Sequence, residues 1–270
     1  MKNALINKAI GHIKIKPNYE SESSDEALFG MSVEIINKVD REWYYIRTEY
    51  KYEGYINERE LFIDDEKEEQ YRNNKNVTAI INYGDILQKP SIESSIIGNF
   101  TKGAELLEIG KIKNNFTNIL LPNGENGWVK SSYLRKLQKS YDINDEEKLR
   151  ENIVEDALSY LGVQYRWGGK TPLGIDCSGL CSISYMLNGI VIYRDAKIKE
   201  GFPIKEIDFK KAKRGDLLFF KGHVAIYLGQ NKYIHSSNTY DGVRINSFNK
   251  CDDDYFEYLG GKLLKVGSIF

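Results

Sequence analysis

Cys177, His223 and His235 are the residues of this chain from which a reaction could be built. A cysteine nucleophile needs an imidazole to take its proton and a third group to orient that imidazole. The cysteine closes a glycine-rich stretch, Tyr165-Arg166-Trp167-Gly168-Gly169-Lys170-Thr171-Pro172-Leu173-Gly174-Ile175-Asp176-Cys177, and Ser178-Gly179-Leu180 come next. Asp176 has the chemistry of a helix N-cap, which places Cys177 in the first helical turn. The partial positive charge of a helix start favours thiolate, so a lowered cysteine pKa is expected. Cys181, four residues on, reads as a small buried hydrophobe. Cys251, beside Asp252-Asp253-Asp254, reads as an incidental loop cysteine.

The two histidines flank a turn at Gly229-Gln230-Asn231. A three-residue loop sets position 223 opposite 237, so residue 235 shares its face one diagonal step away, roughly 7–8 Å. An even loop without a bulge sends the two imidazoles to opposite faces and breaks the constellation. A zinc site made of Cys177, His223 and His235 is the competing chemistry. It lacks the CxxC or HExxH spacing of common zinc sites and an evident fourth ligand, so no metal and no cofactor are called for.

These side chains need a helix and an antiparallel sheet to position them. From Asp145 apolar residues recur at helical spacing (Ile153, Val154, Ala157, Leu158, Leu161), with Gly162 as the C-cap. A second helix runs from Cys177 through Leu180, Ile183, Ser184 and Leu187 to Asn188-Gly189. Strand-like runs come after it at Asp216–Phe220, His223–Leu228 and Lys232–His235, an α+β order of elements. Upstream, residues 27–61 and 96–134 resemble each other. Gly54-Tyr55-Ile56 matches Gly127-Trp128-Val129, Leu61 matches Leu134 and Trp43–Ile46 matches Phe116–Ile119, all at an offset of 73; Val33–Ile36 falls on Ala104–Leu107 at 71. Short β-rich runs between turn residues predict two small β-barrels. The charged run 64–76 between them reads as a linker or short exposed helix, and Gln138–Glu147 as a second linker.

The 38 basic and 39 acidic residues leave a net charge of −1, against nucleic-acid binding. Hydrophobic content of 41% supplies packed cores, and three cysteines do not make a disulfide framework. The start, Met1-Lys2-Asn3-Ala4-Leu5-Ile6-Asn7-Lys8, turns polar too soon for a signal peptide, and no run approaches the ~20 apolar residues of a membrane helix. A cytoplasmic monomer that binds neither membrane nor nucleic acid is the resulting expectation.

Four motifs in order carry a resemblance: Tyr165-Arg166-Trp167-Gly168-Gly169; Asp176-Cys177-Ser178-Gly179-Leu180; Arg214-Gly215-Asp216-Leu217-Leu218-Phe219-Phe220; and Gly222-His223-Val224-Ala225-Ile226-Tyr227-Leu228-Gly229 with His235-Ser236-Ser237. Residues 145–270 resemble the NlpC/P60 cysteine peptidases, a papain-like fold, and residues 1–65 and 77–137 resemble bacterial SH3-like domains. The three-part layout is similar to YkfC-type γ-D-glutamyl-L-diamino acid endopeptidases. The resemblance implies Cys177 as nucleophile, His223 as base, His235 as the group orienting it, and Tyr165 as an oxyanion-stabilising hydroxyl. It implies Asp176 and Ser178 as holders of the substrate's N-terminal amine, with capping an equal role for Asp176. Glu26, with Tyr55 or Tyr52, is the implied contribution of the first SH3-like domain. Ala196, in Tyr193-Arg194-Asp195-Ala196, stands where the family has a substrate-contacting serine.

The implied activity is hydrolysis of the bond between γ-D-Glu and L-Lys or diaminopimelate in murein tri- and tetrapeptides with a free N-terminal L-Ala, during peptide recycling. An exported peptidoglycan DL-endopeptidase that remodels the wall is one alternative. A non-catalytic wall-binding protein is another, and the complete Cys177, His223 and His235 set speaks against it.

Overall fold

The structure is a computed structural model that describes residues 2–270. The chain forms two compact units, Met1–Leu137 and Gln138–Phe270. Among the described residues no helix is long and apolar enough to cross a membrane.

The first unit holds two seven-stranded sheets. One comprises β1 (Lys2–Ile6), β2 (Ile10–Lys14), β3 (Ser23–Leu28), β4 (Ser32–Lys38), β5 (Trp43–Thr48), β6 (Glu53–Asn57) and β7 (Leu61–Phe62). After α1 (Asp65–Asn74), the other comprises β8 (Val77–Ala79), β9 (Tyr83–Leu87), β10 (Ile96–Thr101), β11 (Glu105–Glu108), β12 (Phe116–Leu120), β13 (Asn126–Lys130) and β14 (Leu134–Lys136). Their strand orders are β3-β2-β6-β5-β4-β1-β7 and β10-β9-β13-β12-β11-β8-β14, the same order once each copy is counted from its own first strand.

The registers agree residue for residue. Ile46 pairs with Gly54 and Ile119 with Gly127; His12 pairs with Glu26 and Asp85 with Asn99. Each pair is displaced by 73 from its counterpart. The strand pairs Leu5–Ser32 and Thr78–Glu105 carry the same offset, so Ser32 corresponds to Glu105 and Val33 to Leu106. The 71-residue match of Val33 to Ala104 is therefore a slip of two. Strand side chains alternate with period 2, so a two-residue slip preserves the apolar pattern and goes unnoticed in sequence.

The run between the copies is more than a linker. Asp64 caps α1 by accepting from the Lys67 N–H, and Glu68 and Tyr71 are buried. Tyr71 packs with Leu5 and Leu107, one residue from each sheet, and its hydroxyl donates to the Glu105 carbonyl at 3.1 Å. One aromatic among charged residues decides the matter, because it is the only large apolar side chain the helix can bury.

The second unit begins with α2 (Glu146–Leu158), then β15 (Lys170–Thr171), β16 (Gly174–Ile175) and α3 (Cys177–Met186). A six-stranded antiparallel sheet completes it: β17 (Lys205–Ile207), β18 (Leu217–Phe220), β19 (His223–Gly229), β20 (Lys232–Ser237), β21 (Gly242–Ser247) and β22 (Lys265–Ser268), ordered β17-β22-β18-β19-β20-β21. The α+β order is as expected. Helix α2 stops at Leu158, three residues short of the periodic pattern, and Leu161 is exposed. Gly162, at φ +80°, turns the chain so that its N–H donates to the Val243 carbonyl on β21.

Candidate active site

Helix α3 carries Cys177 at its first position, and its cap is Asp176, which accepts from the Gly179 N–H at 2.6 Å. The same carboxylate accepts from Gly168 N–H (2.9 Å) and from the Ser178 hydroxyl (3.1 Å). It is also paired with Arg194, whose two terminal nitrogens lie 3.0 and 2.9 Å from its two oxygens. Arg194 is 2% exposed and also donates to Ser178 Oγ at 2.7 Å. Of the two roles expected of Asp176, capping is plainly occupied; Ser178 is locked into the same network. Gly179 must lack a side chain, since a Cβ there would collide with the carbonyl of Gly169. That close approach joins the glycine turn to the helix start.

Cys177 is buried, 8% exposed, with the backbone N–H groups of Ser178 and of Val224, the neighbour of His223 on β19, near its sulfur. Burial, and then the Asp176 carboxylate, push its thiol up to about 11. The expectation of a lowered pKa is overturned: desolvation and an adjacent anion outweigh the helix start and the Arg194 charge. At neutral pH Cys177 rests as a thiol. Cys181 is 1% exposed, and burial raises its thiol well above the usual range, consistent with a packing role.

The two histidines meet: His223 Nε2 lies 2.8 Å from His235 Nδ1. The turn between β19 and β20 has two residues, Gln230 and Asn231, both at positive φ. An even loop would separate the imidazoles, but Gly229 pairs with Lys232 and Tyr227 with Tyr233, which leaves Leu228 bulged. Extending the Ile226–Ile234 register then sets His223 opposite Ser237, as the three-residue loop would have done. The bulge restores the parity. Among the described residues no three His, Cys, Asp or Glu side chains converge as metal ligands.

His235 is fully buried, and its Nε2 lies 2.9 Å from Asn246 Oδ1 on β21. The Asn246 amide nitrogen donates to the Asp254 carbonyl at 2.8 Å, which fixes which amide atom faces the ring. Burial and then the neighbouring His235 push His223 down to about 3; burial pushes His235 down to about 4. Both rings are neutral at pH 7, and the hydrogen bonds then assign their protons. His235 donates from Nε2 to Asn246 and accepts at Nδ1 from His223 Nε2–H, so the bare nitrogen of His223 is Nδ1.

Tyr165 is bridged to Ile175, two residues before Cys177, and its N–H donates to the Asp241 carbonyl at 2.9 Å. Burial first, then the charges of Cys177 and Asp176, push its hydroxyl up to about 12, so it stays a proton donor. The other two predicted residues lie in the first unit. Glu26 is on β3 and 1% exposed; Tyr55 is on β6, its ring 4.9 Å from that of Tyr45. Arg194 and Asn246 were not singled out by sequence. Arg194 lies within the Tyr193–Ala196 run, whereas Asn246 had no signal short of pairing β20 with β21.

A thiol, a neutral imidazole pair and a retained tyrosine hydroxyl in an α+β scaffold are groups from which acyl-transfer chemistry can be built. The NlpC/P60 family model matches residues 162–257. Over 271 residues the chain is 40% identical to "Dipeptidyl-peptidase 6" of Lysinibacillus sphaericus, spanning 99% of this chain and 100% of the relative. It is 27% identical over 244 residues to "Gamma-D-glutamyl-L-lysine dipeptidyl-peptidase" of Bacillus cereus, spanning 83% and 70%. A crystal structure of an NlpC/P60 family protein from Bacillus cereus superposes with a TM-score of 0.80 at 19% identity, covering 98% of each chain. The chain belongs to the NlpC/P60 family, and its second unit has that family's papain-like fold.

Proposed function

We propose that the protein is a cysteine peptidase that hydrolyses the bond between γ-D-glutamate and an L-diamino acid in short murein peptides. The observation that carries the reading is the hydrogen bond between His223 and His235, with the backbone N–H of Val224, the next residue on β19, near Cys177 Sγ. Full-length similarity to a relative named as a dipeptidyl-peptidase supports it.

In this reading His223 Nδ1 removes the thiol proton as Sγ attacks the scissile carbonyl, and the charge on the resulting oxyanion is met by the Tyr165 hydroxyl and backbone N–H groups at the start of α3. His223, now an imidazolium, returns the proton to the leaving amine of the diamino acid. Water, giving a proton to His223, then attacks the thioester; the C–S bond breaks, the γ-D-glutamyl product leaves as a carboxylate, and His223 returns the proton to Cys177 Sγ.

The proposal extends to recognition of a free N-terminal L-Ala, a role assigned to Asp176, Ser178, Glu26 and Tyr55. Glu26 is a buried acid, and a desolvated carboxylate gives an ammonium a strong, charge-assisted contact, which supports the assignment. Peptides already trimmed from muramic acid are the fitting substrates, a recycling role for a monomer. An SH3-like character of the N-terminal sheets belongs to the same proposal, supported by their repeated order.

The test is a mass-spectrometric assay on L-Ala-γ-D-Glu-L-Lys, its diaminopimelate analogue and their N-acetylated forms. Cys177→Ala is expected to abolish turnover with the fold intact, and wild-type turnover by that variant would overturn the nucleophile. Acetylation is expected to lower kcat/KM roughly 30-fold or more, the loss of a desolvated charged contact. Equal kcat/KM for free and acetylated peptides would overturn the amine requirement.

A further inference from the structure

Two diagonal steps build the imidazole array across three strands. The first, from His223 on β19 to His235 on β20, depends on the Leu228 bulge. The second continues the row: His235 pairs with Arg244 and Tyr233 with Asn246, so Asn246 shares the face of His235 one step along β21. Asn246 is 5% exposed and both of its amide atoms are bonded, Oδ1 to His235 and Nδ2 to the Asp254 carbonyl. The Asp254 carboxylate is tied to Lys232 at 2.7 Å, and the Asp254 carbonyl also accepts from Ser247 N–H, so the anchor is itself held.

We propose that Asn246 is a positioning residue that sets the tautomers of both histidines and so leaves His223 Nδ1 bare to act as the base. This rests on the reading of Cys177 and His223 as nucleophile and base. The Asp254 carbonyl can only accept, so the Asn246 amide must turn its oxygen to His235. An oxygen can only accept from a ring nitrogen, so Nε2 of His235 carries the proton and Nδ1 is left to receive His223 Nε2–H. Reversing any one of these bonds would put a proton on the nitrogen that has to take one from sulfur. A neutral amide does this without placing a standing charge beside His235. The other groups facing that ring are His223 and the rings of Tyr233 and Phe256.

The test uses the full chain labelled with 15N-histidine. In the wild type, NMR is expected to show Nε2 protonated and Nδ1 bare in both His223 and His235. Asn246→Leu removes the acceptor at similar volume; the fixed tautomer of His235 should be lost and kcat should fall on the order of 100-fold, within the range of general-base catalysis. KM should change by less than about threefold, since nothing that binds substrate is altered. Asn246→Asp keeps the shape but adds an anion that favours protonated His235, whose Nδ1–H would then oppose His223 Nε2–H. An acidic limb in kcat, absent from the wild type, is expected there. Unchanged tautomers or wild-type kcat in Asn246→Leu would overturn the proposal. If Asn246→Leu does not fold, a wild-type pH profile in Asn246→Asp would overturn it. Persistent activity in Cys177→Ala would instead defeat the nucleophile reading and leave the tautomer assignment standing.

Discussion

The two sheets of the first unit share strand order and register to the residue, yet they hold different things at equivalent places. Glu26 (1% exposed) corresponds to Asn99, a half-buried residue whose amide is bonded to Asp85 at 2.8 Å. Asp25, fully buried and bonded by the Tyr50 hydroxyl at 2.5 Å, corresponds to Gly98. His12, paired with Glu60 at 2.9 Å, corresponds to Asp85. Both copies fill the equivalent interior positions with apolar residues, Ile13, Ala27, Val33, Ile46 and Ile56 in the first and Ile86, Phe100, Leu106, Ile119 and Val129 in the second. Since the backbone is common to both, the buried acids of the first copy are not required by the fold. The scaffold and its apolar core are shared by both copies, and only the first adds buried acids at Asp25 and Glu26, as expected where a binding role is added.

The sharpest way to break that comparison is through activity. Glu26→Gln is expected to lower kcat/KM for the free-amine peptide by roughly 30- to 1,000-fold, the range for loss of a desolvated charged partner, while Asn99→Ala leaves it unchanged. Equal effects of the two changes would remove the functional distinction between the sheets. Stability gives the next contrast. Tyr50→Phe withdraws a hydrogen bond from a buried carboxylate and should cost about 1–3 kcal/mol in urea unfolding. The corresponding Asn123→Ala, at an exposed turn, should stay within about 0.5 kcal/mol.

The three histidines extend the contrast to pH. His223 and His235, lowered to about 3 and 4, bind fewer protons in the native than in the unfolded state between pH 6.5 and those values. Stability should therefore fall as pH drops below about 6.5, with His235 alone contributing on the order of 1–3 kcal/mol by pH 4.5. Denaturant midpoints between pH 7 and 4.5 measure this, and a slope unchanged by His235→Gln would contradict it. The same shifts predict a kcat/KM plateau from about pH 5 to 9, with no limb near the ordinary histidine value. His12 is the opposite case, its pKa raised chiefly by the hydrogen bond to Glu60. Its contribution is fully present below about pH 6.5 and is lost as pH rises through its own raised value. For an exposed pair that contribution is less than about 1 kcal/mol, so Glu60→Gln should barely move the midpoint at pH 6.

The sequence by itself determined the features that local chemistry and short repeats dictate. Asp176 before Cys177 is a cap because a carboxylate can satisfy the free N–H groups of a helix start, and Gly179 behind them is needed for close packing. The duplication was legible in Gly54-Tyr55-Ile56 against Gly127-Trp128-Val129, as was the α+β order of the second unit. Tertiary structure decided whatever depends on which strands become neighbours and how much water they exclude. A bulge at Leu228 rescued the shared face of His223 and His235 from a two-residue turn that alone would have separated them. Pairing of β20 with β21 brought Asn246 to His235, and folding of the Tyr193–Ala196 run over the helix start brought Arg194 to Asp176. The protonation states were the least accessible of all. Helix position argued for a thiolate at Cys177, but desolvation is set by the whole surrounding fold, and it holds the thiol protonated and both imidazoles neutral.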